Sequence, residues 1–448
     1  MRSVPLPRSV VRLTAGAASA LLTVAGLGAA AVPSVAVALP APVPASAHAP
    51  HVFTHRSATP PTTADCEAAI QIACYSPNQY QEAYEVDDLL KAHIDGRGKT
   101  IAIVDAFGSP TIQKDLDAFD KAFGLPAGHV QVITPVGAPP VFNGNDATQV
   151  GWAFETTLDV EYAHAMAPGA RILLVETPVA ETEGLNGFPE IVKAENSVIR
   201  HHLADVISQS FGATENTFAN PKRDIAGLRS AFKEAAEHHV TVLAASGDDG
   251  ATDATADGNG TYPYRVNSWP SSDPLVTSIG GTQLHLDAHG DRLSPDVVWN
   301  DGYGAGGGGL SQVFARPRFQ NGVAGVVGSH RGTPDISMTA AVDGGALVYL
   351  SFPGLPAGFY IVGGTSEATP IFSGIVAAAD QVAHHDVGFI NPALYALRGS
   401  GRAGIVDVTA GNNSFAGVTG YSAKAGYDLA SGWGTIDAPE FVRALARR

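Results

Sequence analysis

The chain has 448 residues, 43 acidic and 27 basic, for a formal net charge of −16. With 45% hydrophobic and 16% charged residues it is neither a disordered chain nor a coiled coil, and basic residues too few and scattered to form a cluster argue against nucleic acid or an anionic membrane as a partner. The length allows two or three domains, or one large α/β domain with processed ends.

Arg2, Arg8 and Arg12 precede an apolar run from Leu13 to about Val32, and small-residue cleavage patterns follow at Ala36-Val37-Ala38 and Ala45-Ser46-Ala47. Residues 1–47 therefore read as a secretory signal, which makes the mature protein secreted and extracellular. A membrane anchor is the alternative. It is opposed by Pro33 and the Pro/Ala stretch, which close the run before any basic flank, and no later stretch is long enough to span a bilayer, so no membrane contact is expected after signal removal. Residues 48–76 form a polar, Pro/Thr-rich lead-in with the only two cysteines, Cys66 and Cys74. An exporting compartment favours their pairing as a local disulfide clip, whereas a metal or redox pair would call for CxxC spacing and partner ligands.

From about Pro77 onward short β-branched runs alternate with helical stretches. Strands are predicted at 100–104, 170–175, 204–208 and 240–245, with helices at 111–123, 148–166, 188–202 and 223–238. This alternation implies βαβ crossovers, hence a doubly wound, mostly parallel sheet with helices on both faces and a site built by loops at the strand carboxyl ends. No linker or internal repeat interrupts the pattern, so 77–448 reads as one catalytic domain.

Three segments carry candidate chemistry. In Gly363-Gly364-Thr365-Ser366-Glu367-Ala368-Thr369-Pro370, a serine after glycines opens a helix rich in small residues. That is the setting of an exposed nucleophile, and equally of an ordinary helix cap followed by proline. None of the 15 histidines stands in the His-Gly-Thr setting that a subtilisin-type base requires. The candidate base is instead the pair Glu155 and Asp159, four residues apart on one helical face, where they either share a proton or sit on a solvated outer surface. In Ala245-Ser246-Gly247-Asp248-Asp249-Gly250, after a buried strand, Asp248 is either a turn residue or, when protonated, a donor to an oxyanion.

With these motifs in this order, residues 77–448 resemble the sedolisin family of serine-carboxyl peptidases, relatives in fold of the subtilisins. The resemblance implies a subtilisin-like fold, Ser366 as nucleophile, Glu155 as general base, Asp159 as its orienter and Asp248 as the oxyanion group. It makes Ser210, Phe211 and Gly212, within Ser208-Gln209-Ser210-Phe211-Gly212, a substrate-binding edge for an extended polypeptide. Val298-Trp299-Asn300-Asp301-Gly302 before Gly306 to Gly309, and Thr333-Pro334-Asp335-Ile336-Ser337, are also similar to family segments, and the glycine run has no P-loop lysine. Near the C-terminus, in about 404–437, Asp407 and Asp428 with the carbonyls of Val408, Lys424 and Gly426 resemble the family's site for one structural calcium ion (Ca2+).

The implied activity is a secreted endopeptidase working in mild acid as a monomer. A carboxylate keeps a usable basic fraction there, while a histidine is mostly protonated. The rivals are a neutral serine peptidase with a distant histidine base and a catalytically idle binding protein that keeps the fold. Two departures from the family's pattern stand out: Asp249 replaces the usual serine, and about thirty residues lie between the predicted signal and the core, where family precursors carry a long pro-domain. Asp105, at the end of the first strand, is either an extension of the carboxylate network or a structural strand-end residue.

Overall fold

Seven residues in a row, Thr100–Ala106 (β1), are fully buried, as expected of a central parallel strand covered on both faces. The computed structural model describes residues 51–55, 59–397 and 403–448; the predicted signal at 1–47 lies outside them. The other strands of the main sheet are Val130–Ile133 (β2), Arg171–Thr177 (β3), Val206–Gln209 (β4), Thr241–Ala245 (β5), Thr277–Gln283 (β6), Val297–Val298 (β7) and Ile336–Thr339 (β8). Their order is β7-β6-β5-β4-β1-β3-β2, with β8 also paired to β6, and every pairing but β6 with β7 is parallel. The chain leaves β1 for the edge strand β2, comes back to β3 between β2 and β1, then crosses to β4 on the other side of β1 and winds outward from there. The winding reverses between β1 and β4, and a crevice at the carboxyl ends of these two strands is the place such a sheet offers a ligand.

Alternate residues of the central strands feed two cores. Ile101, Ile103, Leu174 and Leu243 pack with the helices Ala147–Met166 (α2) and Thr365–Ala383 (α5). Ala102, Val104, Val175 and Val242 pack with Phe188–Arg200 (α3) and Ser230–Glu237 (α4). Helix Ile112–Phe123 (α1) flanks α2.

Helix α2 starts at Asp146, whose Oδ1 accepts from the Thr148 and Gln149 N–H groups. From Trp152 to Met166 all of it is buried, as is α5 from Thr365 to Asp380. The two helices approach closely because α5 is lined with small residues: a Cβ on Gly374 would stand 2.6 Å from the Met166 Cβ.

One expectation changes. The predicted helix 223–238 breaks into Pro221–Leu228 and α4, because Arg229 leaves helical geometry and its guanidinium holds Asp273 at 2.5 and 2.8 Å. The described residues of the lead-in, 51–55 and 59–76, are built into the fold. Strand His51–His55 pairs with Gly358–Val362, and a second sheet runs His51–His55, Gly358–Val362, Gly345–Leu350, Cys74–Tyr75. Between its two lead-in strands, helix Thr63–Ile70 is capped reciprocally by Thr62 and Asp65, and Cys66 is bonded to Cys74. Backbone groups of a polar segment are satisfied by a sheet edge as readily as by water, and composition alone does not reveal that.

Candidate active site

Strand Gly358–Val362 runs directly into the turn that presents Ser366. Gly364 caps α5 at φ 107°, a conformation that favours glycine, and a Cβ on Gly363 would lie 2.5 Å from the Ala340 carbonyl. Ser366 follows as the second residue of α5, 6% exposed. Pro370 stands four residues on and has no N–H for the Ser366 carbonyl. That carbonyl meets the Ser210 hydroxyl at 3.3 Å, and the same hydroxyl donates to Asp159 Oδ1 at 2.9 Å. Ser210 thus links the carboxylate helix to Ser366.

Glu155 and Asp159 are both fully buried, which removes the solvated-surface reading of their spacing. Burial first, then the nearby Asp105 and Glu155, hold the Asp159 carboxyl well above its ordinary range. Asp105, at the end of β1, is pushed up to about 7 by burial and by Glu176, against the Thr156 hydroxyl, which pulls it down. The first-strand aspartate is therefore electrostatically joined to the Glu155–Asp159 pair, and like charges this close titrate as a set that retains protons.

Asp248 follows β5 across the crevice. The Thr365 N–H and hydroxyl both donate to its Oδ1, at 2.7 and 2.9 Å, tying it to the residue before Ser366. With Oδ1 committed as an acceptor, Oδ2 is the atom left to carry a proton. Burial, then Asp253 and Asp301, raise this carboxyl to about 6 in spite of the Thr365 bonds. Asp249 is pushed up to about 7 by burial, Asp253 and Asp248. The glycine run clamps this loop from behind: the Gly307 N–H donates to the Gly247 carbonyl at 2.7 Å and the Ala305 N–H to the Asp248 carbonyl at 2.8 Å. A Cβ on Gly307 would lie 2.2 Å from the Ser246 carbonyl, so this close approach requires glycine.

Ser210 and Phe211 are buried, Ser210 toward Asp159 and Phe211 among Trp152 and Phe188 at ring-centroid distances of 6.2 and 6.3 Å. Their side chains face the interior. Sequence reasoning missed Thr365 as the holder of Asp248, although it adjoins Ser366 in the same motif, and missed Ser210 as the bridge. His164, on α2, is turned to Asp120 at 3.2 Å and to the Pro126 carbonyl at 2.9 Å.

Near the C-terminus, Asp407 Oδ2 accepts from the Gly426 N–H and Asp428 Oδ2 from the Lys424 N–H, both at 2.8 Å, so the two carboxylates address one turn. Asp428 Oδ1 also takes the N–H groups of Ala430 and Ser431. Asp428 is buried and Asp407 is exposed. Among the described residues no group of three or more His, Cys, Asp or Glu side chains converges in a way that could hold a metal.

The subtilase family pattern matches residues 141–393. Kumamolisin of Bacillus sp. (strain MN-32) is 32% identical over 406 residues, covering 88% of this chain and 68% of that protein. The chain belongs to the sedolisin family of serine-carboxyl peptidases. Sedolisin of Pseudomonas sp. (strain 101) is 30% identical over 373 residues, 81% of this chain and 60% of that protein, so the chain spans roughly two thirds or less of these relatives. The solved structure of Pseudomonas sedolisin, a serine-carboxyl proteinase complexed with two molecules of pseudo-iodotyrostatin, superposes with a TM-score of 0.72 at 28% identity, covering 84% of this chain and 99% of that one.

Buried acids are a wider feature of this sedolisin-family chain. Burial holds Glu161, Glu181 and Glu367 well above their ordinary range and lifts Glu183 and Asp380 to about 8. A carboxyl whose folded value is raised contributes stability that is complete below its unfolded value, near 4.5, and is lost as pH rises through the folded value. The thermal midpoint is therefore expected to be highest near pH 4 and to fall between about pH 5 and 8. A calorimetric series at pH 4, 6 and 8 checks this, and a midpoint that rises with pH contradicts it.

Proposed function

We propose that this protein is a secreted endopeptidase that cleaves extended polypeptides in mild acid, with Ser366 as nucleophile, Glu155 as base, Asp159 as its orienter and Asp248 as oxyanion donor. The observation that carries the reading is the bridge from Asp159 through Ser210 to the Ser366 carbonyl, opposite an Asp248 anchored on Thr365. Glu155 accepts the Ser366 hydroxyl proton as the oxygen attacks the scissile carbonyl, and Asp248 Oδ2–H donates to the oxyanion. The Glu155 proton passes to the leaving amine. Water then attacks the acyl-enzyme, giving a proton to Glu155, which hands it to Ser366 Oγ as the acyl group leaves as the acid, restoring both residues. Asp159 remains the partner that fixes the carboxyl of Glu155, and Asp105 shares in the proton count of the pair.

The basic residues and apolar run within 1–47 support export, and among the described residues no helix is long and apolar enough to cross a membrane. Hydrolysis of denatured casein at pH 4 tests the proposal. The parent is expected to cleave it and Ser366→Ala to leave it intact; cleavage by both at equal rates would remove Ser366 from the chemistry.

One structural calcium ion belongs to the same reading. The donor set around the Lys424–Gly426 turn consists of oxygen, as a hard cation requires, and the partners of buried Asp428 are backbone N–H groups and the Ser431 hydroxyl, with no basic side chain among them. Asp407, Asp428 and the carbonyls of Val408, Lys424 and Gly426 would hold the ion, whose contribution is to neutralise these carboxylates and fasten the turn. Binding to the folded state alone adds stability as RT ln(1 + [L]/Kd). Chelator is expected to lower the thermal midpoint of the parent and barely move that of Asp428→Ala. An equal response in the two proteins would take the aspartates out of the site.

A further inference from the structure

Behind the strand end that presents Ser210, a carboxyl and a carboxamide meet with one hydrogen bond made and one missing. Glu195 on α3 and Gln209, the last residue of β4, are 1% and 0% exposed. The Gln209 Nε2–H donates to Glu195 Oε1. The other two heteroatoms that could complete the pair, Glu195 Oε2 and Gln209 Oε1, are both buried acceptors without a partner. Leaving two buried oxygens unmatched is costly. One proton on Glu195 Oε2 satisfies both, because the resulting O–H donates to Gln209 Oε1 and closes a ring of two hydrogen bonds.

We propose that Glu195 is a positioning residue that acts as the neutral acid, closed into a cyclic acid–amide pair with Gln209 that fixes the end of β4. The next residue is Ser210, whose hydroxyl holds Asp159 and reaches the Ser366 carbonyl, so the pair sets the register between the carboxylate helix and the nucleophile. Its catalytic consequence rests on the proposed peptidase chemistry; the pairing itself does not.

The surroundings favour the neutral form. Burial alone lifts the Glu195 carboxyl to about 8, with no contribution from any charged neighbour. Of the charged groups on α3 and the elements packed on it, Arg200 pairs with Glu234, Arg223 with Asp224, Arg229 with Asp273 and Lys193 with Glu190, while Lys222, Lys233 and Glu237 are exposed to solvent. Asp105 and Glu176, at the ends of β1 and β3, add nothing to the Glu195 shift. Among the described residues no cation is paired with Glu195, so ionisation opens the ring.

The test compares the full-length parent with Glu195→Gln and Glu195→Leu. An amide at 195 makes the same two-bond ring at every pH, whereas leucine strands the Gln209 amide. At pH 4, Glu195→Leu is expected to lose on the order of tenfold in kcat with little change in KM, the size of one broken buried hydrogen-bond pair, while Glu195→Gln restores it. The parent-minus-Gln infrared difference spectrum at pH 6 is expected to contain a protonated carboxyl band. The urea midpoints of parent and Glu195→Gln should coincide at pH 4 and separate in favour of Glu195→Gln by pH 8. A carboxylate band at pH 6, or parent-like kcat and pH profile in a folded Glu195→Leu protein, overturns the proposal. If leucine prevents folding, the infrared difference decides. A parent without peptidase activity would sink the reaction proposed above and leave the spectrum and the urea midpoints as independent readouts of the pair.

Discussion

Alanine at Ser366 or at Glu155 is expected to lower kcat by at least about 10⁴, and alanine at both is expected to lower it no further. A nucleophile without its base and a base without its nucleophile leave the same remainder, namely substrate binding and the Asp248 donor. Both side chains lie in the packed interface of α2 and α5, so the truncations open small voids as well as removing chemistry. Circular dichroism and the thermal midpoint separate the two effects. Single and double variants that fold alike and lose activity multiplicatively would show that the two residues do not act as one unit. Asp159→Asn is expected to cost less than either, because the amide oxygen still accepts from the Ser210 hydroxyl and the NH₂ can still hydrogen-bond Glu155.

The second large effect belongs to Asp248. Alanine there should lose on the order of 10²–10³ in kcat, the usual cost of one oxyanion donor. Asparagine is the sharper comparison. Its amide oxygen can accept from Thr365 as Oδ1 does, and its NH₂ donates at every pH, whereas the carboxyl donates only while protonated. The parent should therefore lose kcat as pH rises through about 6, where burial and Asp253 place the Asp248 titration. Asp248→Asn should keep measurable activity and carry it further toward neutral pH. Alanine and asparagine variants with the parent's kcat and pH profile would remove the role.

The sheet was legible because its strands are short apolar runs separated by amphipathic helices. Their ends were less so: the predicted 100–104 strand continues to Ala106 because Asp105 is buried and raised toward neutrality, which a reading of aspartate as a polar breaker misses. The second sheet was hidden for a different reason. His51–His55 pairs with Gly358–Val362 across some three hundred residues, and nothing local announces that partner. In the site, the spacing of Glu155 and Asp159 showed a shared face but not which way it turned. That was decided by the small residues of α5, with Gly374 against Met166. Ser210 was placed near the substrate, yet its bridging position depends on the N–H that Pro370 lacks one helical turn after Ser366. The glycine run carried no sign of its task, since a backbone clamp behind Asp248 uses no side chain at all.

The central claim is that a carboxylate, not an imidazole, is the base. It is tested most directly by kcat/KM for a soluble peptide substrate from pH 2.5 to 9, with Ser366→Ala as the background at each pH. The account predicts a bell in acid, rising as the Glu155–Asp159 pair gives up a proton and falling through about pH 6 as Asp248 loses its own. A maximum near pH 8 with little activity at pH 4 would contradict it and return the base to a histidine.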